Sequence, residues 1–168
     1  MIKRAMLAAI GLLSLSVFVL AAAAANCTTR YVSPSGVDNL TCSRNSPCKH
    51  VQQAVNVASA GDTISLAKGS YVEQVSIAKD LTLTGAGSGA STISAPAVLV
   101  PDSHGFLNIV EINSGASVQM SRLAVAGPGP GPCNSIDRGI SVIDGASPAI
   151  TRAAVSDIRD NAPSNNCN

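Results

Sequence analysis

The chain has 168 residues, a formal net charge of +1, 12% charged residues and 2% aromatic residues, with no Trp. So even a charge balance argues against nucleic acid, or any generally acidic polymer, held by bulk electrostatics. With so few rings the core must be built from Val, Ile, Leu and Ala, which suits a narrow interior better than a globular sandwich.

The chain begins as an export signal. Lys3 and Arg4 supply a positive start, residues 5–20 an apolar run, and residues 21–25 small side chains for cleavage. Polar sequence follows directly, without a stop-transfer pattern. Residues 1–25 are therefore expected to be removed, giving a secreted, cell-surface or periplasmic chain with no stable membrane span. Losing those two cations takes the formal charge from +1 to about −1.

Residues 26–61 read as a lead-in and a capping helix. Tyr31-Val32-Ser33 suggests a first strand and Pro34-Ser35-Gly36 a turn. Ser46 suits a helix N-cap and Pro47 the first helical position. Val51, Ala54, Val55 and Ala58 make one apolar stripe, with Gly61 as the C-terminal cap. A helix placed there covers the open end of the sheets that follow.

Five cysteines in an exported chain imply disulfides with one left over. Cys42 and Cys48 flank a segment able to turn, and are predicted to pair. Cys133 and Cys167 lie in polar segments and are a second candidate pair. Cys27 is then free or intermolecular, and other connectivities stay open. Neither a metal site nor a cofactor is expected: the Cys and His residues show no ligand spacing, and the Asp residues form no calcium loop.

Residues 62–158 carry the strand signals. Thr63–Leu66, residues 71–77 and Leu81–Thr84 alternate apolar with small or polar residues, broken by Gly or Lys-Asp. Residues 111–127 align with 141–157 at an offset of about thirty. Gly115-Ala116-Ser117 falls on Gly145-Ala146-Ser147, Arg122 on Arg152, Val125 on Val155, Met120 on Ile150 and Ile112 on Val142. The pattern predicts an all-β fold: a short right-handed parallel β-helix of roughly four coils, about 25 residues each, with the N-terminal α-helix as its cap. The Gly-Pro run from Gly127 is expected as a loop thrown out between coils. Residues 159–168 form a polar tail with no cap pattern, so the last coil is expected to end bare: either the chain is truncated, or another subunit covers that edge, or the tail folds over it.

At this point a resemblance enters. Tyr31 to Gly36, Cys42 to Cys48, Val51-Gln52-Gln53-Ala54-Val55, Gly61-Asp62-Thr63-Ile64 and Gly69-Ser70-Tyr71-Val72-Glu73 resemble the N-terminal part of secreted pectin-lyase-like β-helix proteins. Gln53-Ala54-Val55 and the Gly69, Tyr71, Glu73 pattern are similar to the opening of pectin methylesterases. The later motifs that carry those enzymes' catalytic aspartates and arginine do not occur here. Ser103-His104-Gly105 is similar to a polygalacturonase Gly-His-Gly, without its aspartate pair. No Gly-x-Ser-x-Gly elbow supports a serine triad at Ser103 and His104.

Three residues stand as ligand-binding candidates, and none as catalytic. Arg122 and Arg152 are expected side by side on one sheet, where two guanidiniums can grip the carboxylates of an acidic polysaccharide. Asp157 and Asp160 could equally neutralise them. Glu73 is either near a sugar cleft or a carboxylate that fixes a corner. The expected function is an exported binding or structural module, associated with carbohydrate on the strength of the resemblance. The alternatives are the N-terminal part of a pectin methylesterase-like or lyase-like enzyme, and an adhesin-like unit that self-associates through its last coil.

Overall fold

The computed structural model describes residues 27–128 and 136–158. The signal segment, the tail, Cys133 and Cys167 lie outside these residues. Twelve strands and one helix follow in order: β1 (Thr29–Val32), α1 (Val51–Val57), β2 (Thr63–Leu66), β3 (Gly69–Val72), β4 (Val75–Ile77), β5 (Leu81–Thr84), β6 (Ser91–Ser94), β7 (Asn108–Ile112), β8 (Ser117–Ser121), β9 (Ala124–Ala126), β10 (Arg138–Val142), β11 (Ser147–Thr151) and β12 (Ala154–Ser156).

β1 pairs with β2, and from β2 to β9 each strand pairs, in parallel, with the strand three places on, so the chain winds as a parallel β-helix. The first sheet runs β1-β2-β5-β8-β11, the second β3-β6-β9-β12 and the third β4-β7-β10. The last two turns are offset by 30 in every sheet: Asn108 pairs with Arg138, Ser117 with Ser147 and Val125 with Val155. This is the predicted repeat. Earlier turns do not share it, since Thr63 pairs with Thr82 and Leu81 with Val118, offsets of 19 and 37. The expected coil of about 25 residues averages over these unequal turns. The long one carries the Ala95–Leu107 excursion, closed by a bridge between Pro101 and Leu107.

Inside, side chains stack in columns: Ile64, Leu83, Met120 and Ile150 in the first sheet; Tyr71, Ile93, Val125 and Val155 in the second; Ile77, Ile112 and Val142 in the third. All but the final member of each column are buried. Each such aliphatic contributes on the order of 2 kcal/mol by leaving water.

Tyr71 and Val75 do not share one strand, as residues 71–77 read in sequence. The chain bends at Glu73 and Gln74, from the second sheet to the third. The helix also differs from its expected bounds. Ser46 is held in a bridge to Ser43, and Cys48 donates to the Tyr31 carbonyl, so the disulfide loop stays extended. Asp38 accepts the N–H groups of Lys49 and His50, and helical geometry starts only at Val51. The expected apolar stripe is nonetheless the buried one: Val51, Ala54, Val55 and Ala58. At the far end Lys79 Nζ donates to the carbonyls of Val55 (3.2 Å) and Ala58 (2.9 Å). A cation there also opposes the helix dipole. The Cys42–Cys48 disulfide forms, and Cys27 is free and exposed.

Candidate functional site

The first and second sheets meet at a corner made of Ala67 and Lys68 on one turn, residues 85–90 on the next, Arg122 and Leu123 on the third, and Arg152 and Ala153 on the last. Here Leu123 points inward and is fully buried, while Lys68, Arg122 and Arg152 are exposed. The two arginines therefore stand on a corner, and not on the face of a sheet as expected. A single residue in left-handed backbone makes each turn, at φ 57° for Arg122 and 50° for Arg152. Only such a kink redirects the chain in one step, and for an L-residue it costs about 1 kcal/mol.

The backbones of the two arginines do occupy equivalent positions one turn apart. Ser121 pairs with Thr151 and Ala124 with Ala154, and the Arg122 N–H donates to the Thr151 carbonyl at 3.3 Å. Neighbouring strands lie about 4.8 Å apart. Arg122 Nη2 reaches back across the preceding turn to the Ala86 carbonyl, 3.1 Å away. Arg44 approaches the same edge, lining a recess with Tyr31, Ser65 and Ala67. The residues of the corner itself include no acid. Asp80 and Asp144 instead precede β5 and β11, at the opposite ends of the first-sheet strands. Along the outward side of that sheet, Ser65, Thr84, Ser121 and Thr151 form an uncharged hydroxyl file between the two.

Glu73 lies at a different corner, between the second and third sheets. Its Oε1 accepts the Val51 N–H and its Oε2 the Gln52 N–H, both at 2.8 Å. The carboxylate thus occupies two of the donors that a helix start leaves open. It thereby ties this corner to the start of α1. Glu73 also borders a recess of about 290 Å³ with Pro34, Lys49, His50, Ser70, Tyr71 and Val72. His50 Nδ1 bonds the Asp38 carboxylate there. Burial would raise the Asp38 carboxyl, but the bonds from His50 and Lys49 outweigh it and hold it below its ordinary value.

His104 sits in the Ala95–Leu107 excursion. Its Nδ1 is 3.2 Å from Ser103 Oγ, and its Nε2 is 3.9 Å from Asp144. Both the imidazole and the carboxylate are about half exposed. Beside the excursion a groove of about 200 Å³ runs over the third sheet, lined by Gln52, Gln74, Ser76, Asn108 and Glu111 among others. Gln74 is committed to the chain: its Nε2 donates to the Val100 and Asn108 carbonyls, and its Oε1 accepts the Val100 N–H. Among the described residues no three His, Cys, Asp or Glu side chains gather as metal ligands would, and no helix is long and apolar enough to cross a membrane.

No family model matches the chain, and no curated protein matches it. Among solved structures it is similar to a pectin methylesterase variant in complex with a hexasaccharide, at 22% identity and a TM-score of 0.44. It is similar too to pectin methylesterase PemA from Erwinia chrysanthemi, at 23% identity and a TM-score of 0.42. Each match covers 59% of this chain and 30% of the other, so the chain spans less than a third of these neighbours' length.

Proposed function

We propose that this chain is an exported binding module that holds an acidic polysaccharide along the corner carrying Lys68, Arg122 and Arg152. The observation that carries the reading is the placement of Arg122 and Arg152 at equivalent corner positions, one turn apart, on an edge whose own residues include no acid. Two features support it. Guanidiniums carried on neighbouring turns can share a carboxylate and offer it paired bonds. The two arginines also occupy left-handed backbone, where glycine is the conformationally free choice, on two successive turns. A side chain kept at such a position in spite of its strain points to use of that side chain. The hydroxyl file of Ser65, Thr84, Ser121 and Thr151 lies alongside and offers bonds to sugar hydroxyls. Glu73 contributes indirectly, by fixing the helix that caps the coil. No reaction is assigned to the module.

Affinity electrophoresis through gels containing polygalacturonate, with a neutral glucan as control, tests the reading. The parent chain is expected to be retarded by the acidic polymer only, and less so at high salt. Arg122→Ala/Arg152→Ala is expected to weaken binding by about tenfold, corresponding to about 1.4 kcal/mol. Equal retardation of the double variant would sink the site. Release of methanol or of unsaturated sugars from pectin would replace the module by an enzyme.

A further inference from the structure

The recess that Arg44 shares with Tyr31 is built by the lead-in against the first turn. Tyr31 pairs with Ser65, so its ring heads the outward file that continues through Thr84, Ser121 and Thr151. Opposite it, Ser43 to Ser46 form a tight turn, closed by the Ser46 N–H on the Ser43 carbonyl at 3.1 Å, and this turn carries Arg44. The Cys42–Cys48 disulfide fixes the turn, and Tyr31 is tied to both cysteines: its N–H donates to the Cys42 carbonyl (2.7 Å), and its carbonyl accepts the Cys48 N–H (2.9 Å). The recess holds about 180 Å³, and none of its lining residues is acidic. The two tyrosines of the chain differ in their commitments. Tyr71 is 3% exposed, and its hydroxyl donates to the Val32 and Ala67 carbonyls. Tyr31 is half-buried, and among the described residues neither its hydroxyl nor the Arg44 guanidinium has a hydrogen-bond or ion-pair partner. The recess lies at the Val32 end of β1, whereas the described chain begins at the other end, with Cys27 beside Gly61.

We propose that this recess is a subsite for one uronate ring of the polymer, with Tyr31 against a pyranose face and Arg44 on the ring's carboxylate. The inference rests on the polysaccharide reading above, because Ala67, in the recess wall, directly precedes Lys68 of the corner. A pyranose presents a face of C–H groups rimmed by hydroxyls. An aromatic ring with a polar tip matches both parts of it. The guanidinium fork matches the carboxylate and not its methyl ester, so Arg44 supplies a discrimination that the hydroxyl file cannot. A turn already fixed by a disulfide also loses little freedom when its arginine engages a ligand. Pockets for drug-sized ligands run from roughly 300 Å³ upward, so a recess this small suits a single sugar ring.

Tyrosine emission and gel retardation of the full chain test it together. With no Trp present and Tyr71 buried, Tyr31 is the tyrosine a ligand can reach. Oligogalacturonate is expected to change the emission of the parent and to leave that of Tyr31→Phe unchanged. In polygalacturonate gels Tyr31→Phe, which keeps the ring, is expected to run as the parent does. Tyr31→Leu is expected to weaken binding about tenfold and Arg44→Gln about fivefold, each with an unchanged circular dichroism spectrum. Fully methyl-esterified polymer is expected to leave the parent unretarded, and retardation by it overturns the subsite. So does parent emission that stays constant while the chain binds. Tyr31→Leu and Arg44→Gln that bind as the parent does, beside a weakened Arg122→Ala/Arg152→Ala, overturn the subsite and leave the corner standing. The reverse pattern upholds the subsite and removes the corner. A parent that ignores polygalacturonate overturns both.

Discussion

Glu73 and Asp62 show how single carboxylates tie the lead-in to the first turn. Glu73 accepts two helix N–H groups from 22 and 21 residues away in sequence. Glu73→Ala is expected to cost about 1–2 kcal/mol, read as a lower urea midpoint with an unchanged slope, and Glu73→Gln to recover part of it. An unchanged midpoint would mean that water replaces the carboxylate freely. Asp62 is buried and accepts the N–H groups of Thr28 (2.7 Å) and Ser59 (3.0 Å) and Arg30 Nε (3.2 Å). Burial alone would raise its carboxyl, but these donors outweigh burial and hold it below its ordinary value of 3.8. A carboxyl lowered by folding adds stability that is complete above the unfolded value and fades as pH falls through the folded one. Asp62→Asn should therefore cost about 1–3 kcal/mol at neutral pH, with the gap to the parent closing in acid below pH 3.8. A gap of constant size throughout that acid range would show that the charge contributes nothing. These contacts were not legible in the sequence, since their partners lie far along the chain. Ser46 was the visible cap, yet it is drawn into the disulfide loop while Glu73 closes the helix.

At the scale of elements, strands were easier to read than corners. β2 and β5 have the bounds their alternation predicts, because each is a plain half-buried strand. The corner at Glu73 and Gln74 was hidden inside one long apolar-polar alternation, for neither residue is a turn former. Arg122 and Arg152 concealed their corners in the same way, by putting arginine where glycine would have signalled a bend. Their stacking was legible nonetheless, because the last two turns have equal length. The Cys42–Cys48 loop is a further element, closing the lead-in over β1: Tyr31 N–H donates to the Cys42 carbonyl, and Cys48 N–H to that of Tyr31. Cys42→Ser is expected to cost about 2 kcal/mol by the loop-entropy estimate. Thermal unfolding under oxidising conditions reads it out, and an unchanged Tm would leave the disulfide without a stabilising role.

At the scale of the molecule, the two ends of the coil differ in how they meet water. The first turn is sealed by α1, and the last presents Ile150, Val155 and Val142. In a solenoid each layer is held mainly by its neighbours, so protection should fall from β5 and β8 toward β11 and β12. Amide exchange of the 168-residue chain is expected to show that gradient, and a flat profile would contradict it. Fold class was accessible from the sequence because layer-to-layer contact needs only small aliphatics in a shared register.

The 30-residue spacing common to all three sheets carries a genetic consequence. A tandem copy of that length inserts a whole layer and leaves every upstream pairing where it was. Each added layer would also bring its own arginine to the edge. Such a scaffold can lengthen its grip on a long polymer by copying a segment in frame, without inventing a new surface.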